Sequence, residues 1–325
     1  MLTADQRYLR TELEQRRERL HTALHSPDAD ASLSQLLTDV DAALTRMEKG
    51  TFGICEECHD AIEPERLLAD PLMQFCLDHL SRDEQRALES DLSLAARIQR
   101  RLLPKPGFTA AGWDVQFHYQ PAGMVSGDYC DLLETDHGLL FLLGDVSGKG
   151  VAASMLMSHL HATFRSLAEA GLPLDRMVEH GNRIFCESTL AGQFATLVVG
   201  RAARDGLVEF VSAGHLPVLH IYSGGAMPQG ATGVPLGMFC NARFPVHRLS
   251  LGRGDTLFLY TDGLTEARNH TGEEYGIHRV RTLAARHAEA EPAGLISACL
   301  NELQGFGKGV KQTDDLTLLA VRRSA

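Results

Sequence analysis

Leu139-Leu140-Phe141-Leu142-Leu143-Gly144-Asp145-Val146-Ser147-Gly148-Lys149-Gly150 is an apolar run that ends in a glycine-rich turn holding one acidic side chain. The apolar part reads as a buried strand and Val151 to Ala170 as a helix. Glycine lets backbone approach a ligand or metal closely. Alone, the loop reads equally well as an ordinary strand-to-helix turn with a solvated Asp. A Walker A loop is excluded, because Gly150 follows Lys149 where that motif has Ser or Thr. Three more Asp-bearing turns lie near apolar runs: Ser126-Gly127-Asp128-Tyr129-Cys130-Asp131, Tyr260-Thr261-Asp262-Gly263-Leu264-Thr265-Glu266, and Thr313-Asp314-Asp315-Leu316-Thr317. Clustered carboxylates repel unless a cation stands among them. Hard oxygen donors suit Mg²⁺ or Mn²⁺ rather than zinc.

Around this loop, from Gly112 onward, the sequence is strand-rich. Trp113 to Tyr119, Phe194 to Gly200, Leu207 to Ser212, Val218 to Tyr222, Thr256 to Tyr260 and Leu316 to Val321 read as strands. Two helices are predicted between Val151 and Ser188, and more helix after Ile277. Strands grouped apart from helices indicate an α+β sandwich rather than alternating βαβ units. Gly224, Gly225 and Gly230 predict a flexible loop after Tyr222.

Ahead of this region, Leu9, Leu13, Leu20 and Leu24 line one side of a charged helix that Ser26-Pro27-Asp28 breaks. A second helix is predicted from Ser32, with Gln35 completing a capping box. Its stripe is Leu33, Leu36, Leu37, Val40, Leu44 and Met47, and Gly50 is the stop. The pair predicts an antiparallel hairpin, against two solvated helices of no fixed relation. Cys55/Cys58 and Cys76/His79 then give two paired-donor turns, the spacing of a structural zinc site with no open position. About thirty residues cannot build a core without such an ion. Ser81 and Glu84 form another capping box and Pro104 closes that helix. Leu88, Leu92, Ala95, Gln99 and Leu102 read either as a dimerising coiled-coil seam or as a face packed on its own domain. The predicted domains are 1–50 (helical hairpin), 51–80 (zinc finger), 81–103 (linker helix) and 104–325 (the sandwich).

The 325 residues are 44% hydrophobic, ample for a core, and carry a net charge of −11. That charge argues against direct nucleic-acid binding. Met1 to Arg19 is dense in charge, and no apolar run approaches the ~20 residues of a membrane helix. Seven cysteines, an odd number, predict thiols and metal ligands rather than disulfides. The expectation is a cytoplasmic protein without membrane contact. Cys130, Cys186, Cys240 and Cys299 read as structural.

Two resemblances sharpen these readings. Met47-Glu48-Lys49-Gly50-Thr51-Phe52-Gly53-Ile54-Cys55-Glu56-Glu57-Cys58, Pro64 and Cys76 resemble the DksA/TraR zinc fingers, with His79 in place of the usual fourth Cys. Long members of that family insert an acidic coiled-coil tip into RNA polymerase. Here Asp28 and Asp30 are the acidic residues at the bend, and an interaction module is implied.

The four Asp turns in order, with Ser212-Ala213-Gly214-His215, Gly233-Val234-Pro235-Leu236-Gly237 and Gly272-Glu273-Glu274-Tyr275-Gly276, resemble the SpoIIE/RsbU-like branch of the PPM metal-dependent protein phosphatases. The resemblance implies two antiparallel sheets between helical layers and a two-metal Mn²⁺ or Mg²⁺ site. It implies that Asp145 bridges both metals, that Asp128 and the Val146 carbonyl serve the second, and that Asp262 and Asp314 hold the first. Asp131 and Asp315 are implied neighbours. Two divalent ions would activate a water for in-line attack on phosphorus, without a phosphoenzyme.

Ser147 stands where many PPM enzymes carry a His proposed as general acid, so no protein acid is assigned. His215 reads as a turn-stabilising residue and Lys149 as a solvated lysine. The expected activity is phosphoserine hydrolysis on an anti-sigma-factor antagonist, regulated by the finger, with a homodimer through the linker helix. The alternative is an RNA-polymerase-binding regulator whose phosphatase domain is a scaffold.

Overall fold

The computed structural model describes residues 4–24, 31–80, 82–105, 107–190, 192–230 and 233–324. The predicted break at Pro27, the acidic bend of Asp28 and Asp30, and the Ser81 cap lie outside the described residues. The chain divides into two compact units, Met1–Ser90 and Asp91–Ala325.

In the first unit, α1 (Ala4–Leu24) and α2 (Ala31–Lys49) share one core. Leu9, Leu13 and Leu20 of α1 are buried in it with Val40, Ala43, Leu44 and Met47 of α2. Arg17 approaches Asp41 at 3.9 Å between the two helices. α2 runs from Ala31, one residue before the predicted start at Ser32. Gly50, at φ +74°, ends it in the left-handed conformation that favours glycine. Phe52, Cys55, Ile62, Cys76 and Leu67 of α3 (Pro64–Ala69) extend the same core into the finger.

α4 (Arg82–Leu102) exposes Leu88, Leu94 and Ile98. Within the second unit its Gln99 is buried, with Nε2 donating to Ser126 O at 2.7 Å and Oε1 accepting Ser126 N at 3.0 Å. Of the predicted seam, then, Gln99 and Leu102 are engaged by their own domain.

The second unit is the expected sandwich. Its strands are β1 (Phe108–Ala110), β2 (Trp113–Gln120), β3 (Asp128–Thr135), β4 (Gly138–Val146), β5 (Ala195–Ala202), β6 (Leu207–Ala213), β7 (Val218–Tyr222), β8 (Gly225–Gln229), β9 (His247–Ser250), β10 (Thr256–Tyr260) and β11 (Leu316–Arg323). Its helices are α5 (Gly150–Glu169), α6 (Leu174–Ser188), α7 (Asp262–Thr265), α8 (Gly276–Arg286) and α9 (Pro292–Phe306). Among the described residues one sheet runs β1-β2-β11-β10-β7-β8 and the other β3-β4-β5-β6-β9, with antiparallel pairs throughout.

The pleat sends alternate side chains to opposite faces. On β4, Leu139, Phe141 and Leu143 face the core between the sheets, while Leu140 and Leu142 face α5 and α6. On β10, Leu257 and Leu259 join that central core, while Phe258 and Tyr260 face α8 and α9. Burial on both faces explains the uninterrupted apolar runs.

Three readings change. The glycine-rich stretch after Tyr222 is the strand β8, hairpinned onto β7 around Gly225 at φ +135°. β1 and β9 were not predicted; they are short, and His247-Arg248-Leu249-Ser250 has little apolar signal. Asp128 lies not in a turn but at the first residue of β3, where it is the register partner of Asp145 on β4.

Candidate functional site

The acidic residues come together where β3, β4, β10 and β11 end. Asp145 and Val146 close β4 before the turn into α5. Gly127 packs against them: a Cβ there would fall 2.9 Å from the Val146 carbonyl and 3.4 Å from Asp145 Oδ1, so only glycine admits this approach. Asp262 opens α7, with Thr261 between it and the end of β10. Gly263 sits so tightly on the Asp315 carbonyl that any side chain would collide, which fixes Asp262 beside the turn carrying Asp314.

Each carboxylate is held differently. Asp128 is 1% exposed, and its Oδ2 accepts the Thr261 hydroxyl at 3.0 Å and the Thr317 hydroxyl. Thr261 Oγ1 in turn accepts Thr317 N at 2.9 Å, locking β10, β11 and β3 together. Asp315 accepts Ala122 N at 2.8 Å and Gly127 N at 2.9 Å, one on each oxygen, so its work is to hold the 122–127 turn. Asp314 accepts Asp315 N at 3.0 Å on Oδ1 and Lys149 Nζ at 2.9 Å on Oδ2. Lys149 also donates to Thr313 O at 2.9 Å, so it is tied to the site rather than simply solvated.

Electrostatics record the crowding. Burial, then Asp262, Asp314 and Asp315, push the Asp145 carboxyl up to about 7. Burial, then Asp314 and Glu266, raise Asp262. Burial, then Asp145, raise Asp128 well above the carboxylate range. Acidic groups that hinder one another's ionisation, all with hard oxygen donors, fit divalent cations of the Mg²⁺ or Mn²⁺ type.

Asp145 and Asp262 line a cavity of 300 Å³ with Thr196, Gly214, His215, Leu216, Pro217 and Glu266. His215 is buried and its Nδ1 pairs with Thr196 Oγ1 at 2.8 Å; burial lowers it to about 4, so it is neutral. Glu266 carried no assigned role in the sequence, although it follows Asp262 by one helical turn and so shares its face. Thr196 left no signal, since its place follows from pairing with Asp145 across β4 and β5.

One predicted neighbour, Asp131, separates from the site. Asp131 is fully buried away from the cavity, its oxygens taken by Arg165 Nε at 2.7 Å and Nη2 at 2.6 Å on α5. Ser147 accepts Phe194 N at 2.9 Å, a backbone tie that suits no acid role.

In the first unit, the donor atoms of Cys55, Cys58, Cys76 and His79 all lie within 4.8 Å of one another. Cys58 Sγ stands 3.7 Å from Cys76 Sγ, and Cys76 Sγ 3.3 Å from His79 Nδ1. Burial opposes ionisation of Cys55, yet the amides of Cys58, Cys76 and Glu57 outweigh it and lower its thiol. Three sulfurs and one imidazole, one thiol already biased to thiolate, fit a structural zinc.

Residues 135–324 match the family described as Stage II sporulation protein E (SpoIIE), and residues 50–78 match the prokaryotic dksA/traR C4-type zinc finger. Protein IcfG of Synechocystis sp. is 30% identical over 266 residues, covering 72% of this chain and 42% of that protein. The phosphoserine phosphatase RsbU of Bacillus subtilis is 27% identical over 245 residues, covering 74% of this chain and 72% of the relative. The chain thus spans less than half of the first and about three quarters of the second. The solved SiaA-PP2C domain of Pseudomonas aeruginosa shares the fold at a TM-score of 0.65 and 20% identity, covering 75% of this chain and 99% of that one. The RsbU and RsbW domains of Rv1364c from Mycobacterium tuberculosis align at a TM-score of 0.59 and 31% identity, covering 69% and 62%.

Proposed function

The chain belongs to the SpoIIE family, and on that premise we propose that it is a metal-dependent protein-serine/threonine phosphatase acting on phosphoserine. The observation that carries this reading is the pairing of Asp145 and Asp262 at one cavity, with Asp314 near enough to raise the proton affinity of both. Asp145, Asp262 and Asp314 would hold one Mn²⁺ or Mg²⁺. Asp145, the Val146 carbonyl and the remaining oxygen of Asp128 would hold a second. When bound, such ions neutralise phosphate oxygens and lower the pKa of a coordinated water.

The chain's own residues prepare that chemistry. Thr261 and Thr317 fix Asp128, while Asp315 fixes the 122–127 turn beside Asp145. Neutral His215 steadies Thr196, whose hydroxyl points to the Asp145 carbonyl at 3.5 Å. No side chain is assigned as general acid.

The favoured substrate is phosphoserine on an anti-sigma-factor antagonist, in line with relatives named phosphoserine phosphatase RsbU and RsbP. The finger would regulate the activity, and the exposed Leu88, Leu94 and Ile98 of α4 support a homodimer through that helix. Among the described residues no helix is long and apolar enough to cross a membrane, which suits the proposed cytoplasmic site.

The finger match also supports a second reading, an RNA-polymerase-binding regulator. Purified wild type and Asp262→Ala, assayed with a phosphoserine protein in Mn²⁺, test the first: hydrolysis should be lost in a folded variant. Retained hydrolysis would overturn the site. Polymerase capture by the full chain, with no hydrolysis by wild type, would favour the second.

A further inference from the structure

One stripe of α6 grips the segment that follows Leu236. Glu179, Asn182 and Cys186 recur at steps of three and four, so they share a helix face. Glu179 accepts Arg243 Nη1 on its two oxygens at 2.9 and 2.8 Å. Asn182 Nδ2 donates to Phe239 O at 2.8 Å and Cys240 O at 3.2 Å, and its Oδ1 accepts Gly237 N at 3.0 Å. The Cys240 backbone is therefore fastened one helical turn from Cys186. Burial, then the neighbouring Cys240 thiol, push the Cys186 thiol up to about 11. Cys240 is exposed, Cys186 is half-buried, and both are free thiols, so Cys240 is not the structural residue the sequence suggested.

We propose that Cys186 and Cys240 are a peroxide-responsive dithiol whose oxidation joins α6 to the 236–246 segment by a disulfide. The exposed Cys240 sulfur attacks one oxygen of hydrogen peroxide and displaces hydroxide, which takes the thiol proton and leaves as water. The Cys186 sulfur then attacks the resulting sulfenic sulfur, forming the S–S bond and releasing a second water. The two thiols lose two electrons together and one peroxide becomes two waters.

The segment that leads to Cys240 is tied to β5 beside the end of β4. Leu236 N donates to Ala195 O at 2.8 Å and Ala195 N to Leu236 O at 3.0 Å, and Ala195 is the register partner of Val146. The proposal does not rest on the hydrolytic reading, since it needs no ion in that cavity.

The test treats the zinc-loaded full chain with hydrogen peroxide, and in parallel with oxidised glutathione, then alkylates and maps it without reduction. The expected product is a monomer containing a Cys186–Cys240 linked peptide. Its unfolding midpoint should rise by about 5 °C and return on reduction. Cys186→Ser should abolish the link and leave Cys240 carrying the oxidised adduct. Cys240 found only as a sulfinic acid or an intermolecular bridge, with Cys186 fully alkylated, would overturn the proposal. So would absence of the link with both oxidants.

Discussion

Asp128 and Asp145 face each other across the first pair of the β3–β4 register, and the charge of Asp145 adds to burial in raising Asp128. Two carboxylates placed opposite each other in a ladder work against the stability of that hairpin. The arrangement becomes favourable only when something positive joins it.

That imbalance gives a pH dependence with a definite sign. Asp145 is raised from 3.8 to about 7 in the fold, so the folded chain binds its proton more tightly than the unfolded chain. Its contribution favours the fold at low pH and is lost as pH rises from about 4 to about 7. Without added Mn²⁺ or Mg²⁺, thermal scans should show stability falling across this window by a few kcal/mol. Asp145→Asn should flatten that slope, and saturating Mn²⁺ should reverse it in wild type.

The Thr317 hydroxyl reaches a carboxylate that is 1% exposed. Thr317→Val keeps the shape and removes the donor, leaving buried Asp128 with Thr261 as its hydroxyl partner. Denaturant titration should show a loss of about 1–3 kcal/mol. An unchanged midpoint would mean that Asp128 is protonated and independent of its threonines.

Asp131 separates structure from site. Its full burial against Arg165 means that Asp131→Asn leaves a guanidinium facing a neutral amide. The expected cost is about 1–3 kcal/mol in stability, because Arg165 is partly exposed and keeps water as a partner. Mn²⁺ affinity, measured by calorimetry, should stay at the wild-type level.

Removing zinc should unfold the first unit and leave the second unit folded. After chelation, Cys55, Cys58 and Cys76 should become rapidly alkylated and residues 51–80 should lose amide protection. Amides of β4 and β5 should stay protected, because their core owes nothing to the finger.

Much of this was legible in the chain itself. The strands β4, β10 and β11 announce themselves because both faces are buried, and each has an acidic residue within two positions of one of its ends. The finger is legible because donor spacing is local. Asp131 could have been set aside from the pleat alone: it lies three residues after Asp128 on β3, and so on the opposite face. Nothing local announces that Thr261 and Thr317 would meet on Asp128, because that contact joins three strands remote in sequence. β8 was misread because glycines that mark a loop also make a tight hairpin.

The most direct test titrates Mn²⁺ calorimetrically into the zinc-loaded full chain and into Asp145→Ala. The account predicts two Mn²⁺ ions bound by wild type beyond the zinc, and loss of both in the variant, which keeps its fold by circular dichroism. Equal Mn²⁺ binding by the two proteins would contradict it.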